Sequence, residues 1–434
     1  MRTLRETIFC PPPCARAKLA TCARGVQGIL IAPIAVIIAY MKKADPLSAK
    51  GLAEVSPGSL PSLGTEEIGR AWDEAGDGLK ALLAAPPVTV VVNDVTRPPV
   101  AGALLGPVAS LLGGRCRVLV ATGTHRAVSE AEKDFLLAGL LRDAPWRCTE
   151  AAEGWPAGVT SFGTRVVLDP WTAPGSSLLL VGSVEPHYFA GFTGGRKSIL
   201  PGCASEETIV QNHYLACLPG SAPTALAGNP VSEDMEEAAA FVTSSSRVLC
   251  ANCAVQGGRI VQFSAGGLGE AFAKSVAASR SCSCVNLDRP CHTVVVRPGS
   301  PLDTNLYQAM KALYNCEGAV ADGGALLIDA HCGEGLGASH MLSSMEESQD
   351  PRWNAPSKEE YRLGDHSTAR LVRIRSRMRL ALHSLLEEDL VIRLGFQPVY
   401  DAGAWVESRG PDAVCIPDAG TVVATAREKS CRCS

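Results

Sequence analysis

Aromatic side chains are scarce in this chain of 434 residues: they make up 5% of it, whereas 46% of the residues are apolar and 42 are glycines. That apolar content supports a large buried core and argues against wholesale disorder. A composition poor in aromatics but rich in glycine and alanine suits close packing of helices on a sheet, which is typical of α/β folds. The length suggests two or three domains.

A surplus of charge of either sign is also missing. The chain carries 40 basic and 44 acidic residues, for a formal net charge of −4. A dedicated nucleic-acid-binding protein would show a basic surplus, so we expect no nucleic-acid partner. A row of arginines between Arg370 and Arg379 follows a helical pattern, and it predicts a solvated helix face.

The apolar run GILIAPIAVIIAY at 28–40 is too short to span a bilayer, and it contains Pro33. Because basic residues precede it, a secretory signal peptide is one possible interpretation of this run. A buried strand, or upstream sequence that is not native and precedes a true start at Met41, explains the run without export. We favour these two interpretations over export, treat 1–45 as an atypical N-terminal extension, and expect no membrane partner.

The 17 cysteines form no convincing framework for disulfides or a metal, because their number is odd and they are scattered. The only CxxC motif is Cys250-Ala-Asn-Cys253. A structural zinc site needs a second pair at a workable spacing, and Cys282 and Cys284 are too close together to supply it. A chain of this length needs no disulfides, so we predict a cytoplasmic location.

Three short apolar runs predict buried parallel strands, and each one leads into a polar loop. They are VTVVV at 88–92, RVLVA at 117–121 and SLLLVGS at 177–183. The carboxyl ends of parallel strands meet at one edge of a sheet, where ligands bind. We therefore expect the polar residues that follow these runs to lie close together.

A second unit begins at 292 with HTVVVRPG, after a loosely patterned stretch, and it continues to the strand GALLIDA at 324–330. We predict an α/β fold of two α/β domains with mostly parallel sheets and an active-site cleft between them. The N-terminal domain is expected to span 46–285 and the C-terminal domain 286–434.

The segment EPHYFAGFTGGRKSILPG at 185–202 places a lysine in a glycine-rich loop. A phosphate-binding P-loop requires glycine immediately before the lysine, but Arg196 stands there, which argues against a nucleotide triphosphatase. Ser205 and the two acidic residues after it predict the start of a helix that carries His213.

Several side chains near the predicted loops suit acid–base chemistry on an anion. His125, His187 and His213 stand at or near loops that follow apolar segments, and imidazole serves both as an acid–base group and as a metal ligand. Asp94 and Arg97 follow a strand, where a carboxylate can orient an imidazole and a guanidinium can bind an anion. Residues Tyr307, Gln308 and Lys311 lie on a helix, which taken alone is an ordinary amphipathic helix.

The motifs NDVTRP, ATGTHR, EPHYFAGFTGGRKSILPG, QNHYLA and LYQAMK occur in this order, and together they resemble the nickel-dependent lactate racemase family over roughly 88–335. A weaker likeness extends to about residue 400 through YRLGDH and LGFQP. The first sixty or so residues do not look like the family's opening strands.

The resemblance implies a cofactor that contains nickel, pyridinium-3,5-bisthiocarboxylic acid mononucleotide, covalently attached at Lys197, with His213 as the protein ligand of the metal. It implies that His125 and His187 are the paired catalytic acid–base residues. The cofactor would also be bound by Asp94, Val95, Thr96 and Arg97, and the substrate by Arg97, Tyr307, Gln308 and Lys311. The family also uses a tryptophan of the C-terminal domain, and Trp353 and Trp405 are available.

The implied function is racemisation or epimerisation of a 2-hydroxy acid, with lactate as the default substrate, by reversible hydride transfer. The implied partners are a small 2-hydroxy acid and the proteins that synthesise the cofactor. A non-catalytic carrier of nickel or nucleotide and an unrelated nucleotide-dependent transferase remain as alternatives.

Overall fold

A computed structural model of the chain describes residues 52–337, 341–350 and 353–427. The extension predicted at 1–45, with its apolar run, lies outside the described residues. Among the described residues, no helix is both long enough and apolar enough to traverse a bilayer.

Eighteen strands occur in the described part of the chain. They are β1 (Ala53–Glu54), β2 (Val88–Asn93), β3 (Cys116–Ala121), β4 (Trp146–Cys148), β5 (Trp155–Val159), β6 (Arg165–Leu168), β7 (Ser177–Ser183), β8 (Pro186–His187), β9 (Gly191–Phe192), β10 (Arg247–Gln256), β11 (Arg259–Gly266), β12 (Cys284–Leu287), β13 (Cys291–Val296), β14 (Val320–Asp329), β15 (Arg379–His383), β16 (Gln397–Val399), β17 (Ala413–Ile416) and β18 (Val423–Ala426).

The described α-helices number thirteen. They are α1 (Thr65–Glu74), α2 (Gly76–Leu83), α3 (Ala101–Leu105), α4 (Ala109–Leu112), α5 (Glu130–Leu136), α6 (Glu206–Tyr214), α7 (Pro230–Thr243), α8 (Leu268–Ser283), α9 (Leu306–Cys316), α10 (Met341–Glu347), α11 (Asp365–Arg377), α12 (Glu388–Arg393) and α13 (Ala402–Glu407).

The three predicted strands form the centre of the first sheet, whose order is β11-β10-β7-β2-β3-β4. All its neighbours are parallel except β10 and β11, which are antiparallel. In β7, Leu179 and Val181 join one hydrophobic core, while Leu178 and Leu180 join the core on the opposite face. Because successive side chains of a strand point to opposite faces, an unbroken apolar run is what a sheet covered on both sides requires.

A second sheet of six strands has the order β1-β17-β13-β14-β15-β16, and all its neighbours are parallel. The predicted strand at 324–330 is the inner part of β14. The two mostly parallel sheets with their helices confirm the predicted α/β class.

The division of the chain between the two sheets is not strictly sequential. Strand β1 precedes the whole first sheet along the chain, yet it pairs with β17 of the second sheet. Strand β12, at the predicted boundary near 285, pairs in parallel with β18 close to the C-terminal end of the described residues. The domain limits 46–285 and 286–434 therefore stay a prediction.

The arginine row on α11 is not uniformly solvated as the sequence predicted. Arg370 is only 5% exposed, and its guanidinium contacts Glu317 Oε1 at 2.6 Å and the carbonyl oxygen of Tyr314 at 2.7 Å. A third hydrogen bond joins it to the carbonyl oxygen of Tyr188. The buried charge is thus compensated by acceptors distant in sequence, which the local pattern could not reveal. Arg373 and Arg377 are exposed on α11, as predicted, whereas the exposed Arg379 lies on β15 and not on the helix.

Candidate active site

A cavity of about 430 Å³ lies where the loops after β2 and β3 meet helices α6, α9 and the start of α11. Every predicted site residue except Val95 lines it. These residues are Asp94, Thr96, Arg97, His125, His187, Lys197, His213, Tyr307, Gln308 and Lys311. The parallel strands bring their polar ends to one edge, as the sequence predicted.

Val95 lies within the same loop but turns the other way. Its side chain packs against the hydrophobic core on one face of the first sheet, rather than joining the described lining of the cavity. Any contact between Val95 and a bound ligand would therefore involve its backbone.

Asp94 orients His125 at the mouth of the cavity. The carboxyl oxygen Oδ2 lies 2.6 Å from His125 Nδ1, and Oδ1 accepts hydrogen bonds from the Thr96 backbone at 2.9 Å and the Thr96 hydroxyl at 2.6 Å. Burial raises the pKa of Asp94, but the hydrogen bonds from His125 and Thr96 outweigh it, so the pKa is lowered overall. The ionised carboxylate accepts the Nδ1 proton, and His125 Nε2 is left with a lone pair.

The lysine loop needs glycine for its sharp path. Gly194 has a φ of 74°, and a Cβ there would lie 2.8 Å from the Ser183 carbonyl oxygen. The next residue, Gly195, donates its backbone N–H to Asn252 Oδ1 at 2.9 Å. A single 3₁₀ turn, Gly195–Ser198, then delivers Lys197 to the cavity.

Arg196 points away from the cavity despite its position beside Lys197. Its side chain is 1% exposed, it donates to the hydroxyl of Ser232 at 2.9 Å, and its guanidinium lies 4.6 Å from the ring centroid of Phe272. The two adjacent cations therefore differ in role: Arg196 anchors the loop against α7 and α8, and Lys197 faces the ligand space.

Asn252 also explains the isolated CxxC motif. It lies between Cys250 and Cys253 on β10, and all three are fully buried. Both cysteines are free thiols, and among the described residues no group of three or more histidine, cysteine or acidic side chains is arranged to hold a metal. The asparagine of the motif thus supports the lysine loop.

Replacement of Asn252 by leucine is expected to destabilise the protein by about 2–4 kcal/mol, because it leaves the Gly195 N–H and the Gly182 carbonyl without their buried partner. Denaturant unfolding measures the loss. Asn286→Leu, at an exposed amide on β12, is the matched control and should change stability by less than about 0.5 kcal/mol. Equal effects of the two substitutions would contradict this role of Asn252.

Three cations converge on the cavity without a described carboxylate at ion-pair distance: Arg97, Lys197 and Lys311. Burial, with the charges of Arg97 and Arg196, lowers the pKa of Lys197 to about 7. Burial and Arg97 lower the pKa of Lys311 to about 8. A cluster of this kind favours a bound anion, and it leaves much of Lys197 as a neutral, nucleophilic amine at neutral pH.

His187 and His213 are held in their neutral forms. Burial, followed by the charge of Lys197, lowers the pKa of His187 well below its ordinary value. Burial, followed by His366, does the same for His213. Phe189 meets both rings edge-on, with centroids 4.5 Å from His187 and 5.0 Å from His213. A neutral, fixed imidazole is the form that binds a metal or accepts a proton.

Helix α9 supplies the opposite wall. Asn305 caps it by accepting the Gln308 N–H at 3.0 Å, which fixes the first turn and the residues on it. The side-chain oxygen of Gln308 is buried and has no hydrogen-bond partner within the described chain. An unmatched acceptor in a cavity wall is a site for a donor on the ligand.

Sequence reasoning missed Tyr188 and His366, which also line the cavity. His366 is 4% exposed and lies at the start of α11. The segment YRLGDH offered a weak signal, but its partners are far away in the sequence. Neither Trp353 nor Trp405 belongs to the described lining, and its aromatic surface comes from Tyr188, Phe189 and Tyr307.

Comparisons with known proteins match both halves of the chain. The lactate racemase N-terminal domain matches residues 64–224, and the lactate racemase C-terminal domain matches residues 288–362. Lactate racemase from Thermoanaerobacterium thermosaccharolyticum is 32% identical over 246 residues, which cover 54% of this chain and 56% of that protein. Lactate racemase from Lactiplantibacillus plantarum is 26% identical over 285 residues, which cover 61% and 65%. The matched segments thus span less than two thirds of either relative.

Solved structures extend the likeness to most of the fold. The lactate racemase apoprotein of T. thermosaccharolyticum superposes with a TM-score of 0.74 at 25% identity, over 86% of this chain and 95% of that one. A Thermotoga maritima protein gives a TM-score of 0.64 at 17% identity, which shows the fold alone. With both family domains matched in order, the chain belongs to the lactate racemase family.

Proposed function

We propose that this chain is a racemase or epimerase of a 2-hydroxy acid, with lactate as the default substrate, and that it works in the cytoplasm. One observation carries the proposal: the proposed acid–base pair His125 and His187, a lysine amine of lowered pKa and two further cations line a single cavity. The names of the relatives support the same reaction class.

We further propose that the cavity takes the nickel pincer nucleotide, with Lys197 as the point of attachment and His213 as the protein ligand of the metal. The residues fit this group. Lys197 provides an amine that is largely uncharged near neutral pH, and His213 a neutral imidazole. A single histidine suits a metal whose remaining ligands belong to the cofactor. When bound, this group supplies a reversible hydride acceptor.

The chain's own residues bind the substrate and move its hydroxyl proton. Arg97 and Lys311 compensate the carboxylate, and the acceptor on Gln308 receives a donor from the ligand. His125 Nε2, which is left unprotonated because Nδ1 donates to Asp94, accepts the hydroxyl proton. Removing that proton while the C2 hydrogen leaves as hydride yields a planar keto acid, which can be reduced again on either face.

The second imidazole serves the opposite enantiomer. Its ring lies in the same cavity, and burial with the charge of Lys197 holds it neutral, with a lone pair that can accept the hydroxyl proton of that enantiomer. In each direction one histidine takes the proton while the substrate is oxidised, and the other, in its protonated form, returns a proton when the keto acid is reduced on its opposite face.

Two alternatives make different demands on these residues. A carrier of nickel or nucleotide would need Lys197 and His213 but not the Asp94–His125 pair. A nucleotide-dependent transferase would need a phosphate-binding loop, and Arg196 occupies the position where that loop requires glycine. The acid–base pair favours catalysis over both alternatives.

Racemisation of one lactate enantiomer in D₂O is expected to proceed without deuterium at C2, because the C2 hydrogen leaves and returns as hydride. The holoprotein is made alongside the cofactor-biosynthesis proteins, and the product is examined by chiral chromatography and mass spectrometry. Deuterium at C2 would instead indicate proton abstraction. No racemisation across a panel of 2-hydroxy acids would refute the proposed function.

A further inference from the structure

The wall of the cavity contains a hydrogen-bonded chain that the proposed chemistry does not use. His366 Nδ1 lies 2.6 Å from the Tyr361 hydroxyl, and His366 Nε2 lies 2.9 Å from the Tyr188 hydroxyl. Tyr361 and His366 belong to the segment that starts α11, whereas Tyr188 belongs to the loop that carries His187. These hydrogen bonds thus join the start of α11, which packs with the second sheet, to the loop that carries His187 and follows β7 of the first sheet.

The imidazole of His366 is neutral on structural grounds. It is 4% exposed, both of its nitrogens face tyrosine hydroxyls, and no described carboxylate contacts it. A neutral imidazole has one N–H and one lone pair. One tyrosine must therefore donate to this ring, while the other accepts from it.

The surroundings of Tyr361 decide the direction. Its hydroxyl is buried, and among the described residues His366 Nδ1 is the only side-chain acceptor that it reaches. If His366 donated from Nδ1, the Tyr361 proton would be buried without an acceptor, which is costly. Tyr361 therefore donates to Nδ1, the His366 proton lies on Nε2, and Tyr188 accepts it.

We propose that His366 is a positioning residue: it sets the polarity of the hydrogen bonds from Tyr361 through Tyr188, so that the Tyr188 hydroxyl turns its own proton into the cavity, toward an oxygen of the bound 2-hydroxy acid. Tyr188 lines the cavity. The contact with the 2-hydroxy acid rests on the proposed function.

Further contacts fix the position of Tyr188 within this series of hydrogen bonds. Arg370, one turn along α11 from His366, donates to the carbonyl oxygen of Tyr188, and the Tyr188 ring stacks on Tyr314 with centroids 5.2 Å apart. Tyr188 therefore has its backbone, its ring and its hydroxyl fixed by the second sheet and its helices. Because these three groups are fixed, the orientation of the Tyr188 hydroxyl is well defined.

The tautomer of His366 is the direct test, and it needs no activity. Nitrogen NMR of the full chain with labelled histidine should show His366 protonated on Nε2 and unprotonated on Nδ1, with its signals identified by their loss in His366→Gln. A ring protonated on Nδ1, or on both nitrogens, overturns the proposal. If His366→Gln does not fold, Tyr361→Phe identifies the same ring by shifting its Nδ1 signal.

Kinetics of the holoprotein test the link to the substrate. Tyr361→Phe is expected to lower kcat by roughly tenfold and to leave KM within about twofold, since it removes one hydrogen bond from the chain. Tyr314→Phe is the matched control: its hydroxyl is buried beside the same loop, but it bonds to Ser367 at 2.6 Å. Its kcat should stay within about twofold of the unmodified protein.

The two measurements separate the possible failures. Equal losses in both phenylalanine variants would mean that Tyr361 supports the fold only, and the positioning role would be rejected. If the holoprotein has no racemase activity, the proposed function is rejected. The tautomer of His366 would still test the proposed polarity of the hydrogen bonds.

Discussion

Replacement of Lys197 by alanine is expected to abolish both the covalent cofactor adduct and racemisation, with a loss of activity on the order of a thousandfold or more. In the proposed enzyme the tether would convert a diffusing cofactor into one held in reacting geometry, and such an effective concentration would have no substitute once the amine is gone. Intact mass, nickel content and chiral rate measurement report the three consequences. Racemisation by an adduct-free Lys197→Ala protein would show that the tether is dispensable.

Two further variants separate charge from nucleophilicity. Lys197→Arg keeps the cation, but a guanidinium is always protonated, so this variant should also remain without an adduct. Lys274→Ala is the matched control, because Lys274 is exposed and lies 2.8 Å from Glu270. It should retain adduct and activity.

The lowered pKa of Lys197 can be measured before any cofactor is present. Only the neutral amine reacts with 1-fluoro-2,4-dinitrobenzene, and lowering the pKa to about 7 makes the neutral form predominant above that pH. The rate of arylation of Lys197 in the cofactor-free chain should therefore be half-maximal near pH 7, whereas an ordinary lysine titrates near pH 10.4. A profile like that of Lys274 would remove the electrostatic argument for attachment.

Local sequence was enough to predict the framework of the site. The strands β2, β3 and β7 followed from unbroken apolar runs, because a parallel strand buried on both faces leaves no room for polar alternation. The cap at Ser205 was equally local: its hydroxyl accepts the Thr208 N–H at 3.3 Å at the start of α6. The polar residues that follow such strands lie close together because the carboxyl ends of parallel strands meet at one edge of the sheet.

The parts that escaped prediction depend on contacts between distant segments. Strand β1 finds its partner in β17, about 360 residues further along the chain. Arg370 looked solvated because its acceptors come from other segments.

The same distinction divides the site. His125 and Lys197 could be chosen by motif and by their position after strands. His366 could not, since one of its two hydrogen-bond partners, Tyr188, is 178 residues away. Asn252 had no signal beyond its place in the only CxxC motif, which was unconvincing as a metal site and gave no indication of the loop that Asn252 supports.

Single replacements of His125 and His187 by alanine are expected to lower racemisation by roughly 10²–10⁴-fold while nickel and the Lys197 adduct remain. Asp94→Asn should approach the loss caused by His125→Ala, because the buried carboxylate fixes the His125 ring and its tautomer. His292→Ala, an exposed imidazole on β13, is the control and should leave the rate unchanged. Full activity in both His125→Ala and His187→Ala would reject the acid–base assignment.

The two variants should differ in a way that steady-state rates conceal. Enantiomers have equal free energies, so kcat/KM must be the same in both directions for any variant. Single-turnover experiments avoid this constraint: His125→Ala should still convert one enantiomer to the keto acid by using His187, and His187→Ala should convert only the other. The lowered pKa keeps His187 neutral well into the acidic range, so its half-reaction should persist at acid pH. If both variants convert the same enantiomer, the histidines do not serve opposite faces of the substrate, and a single base must act in both directions.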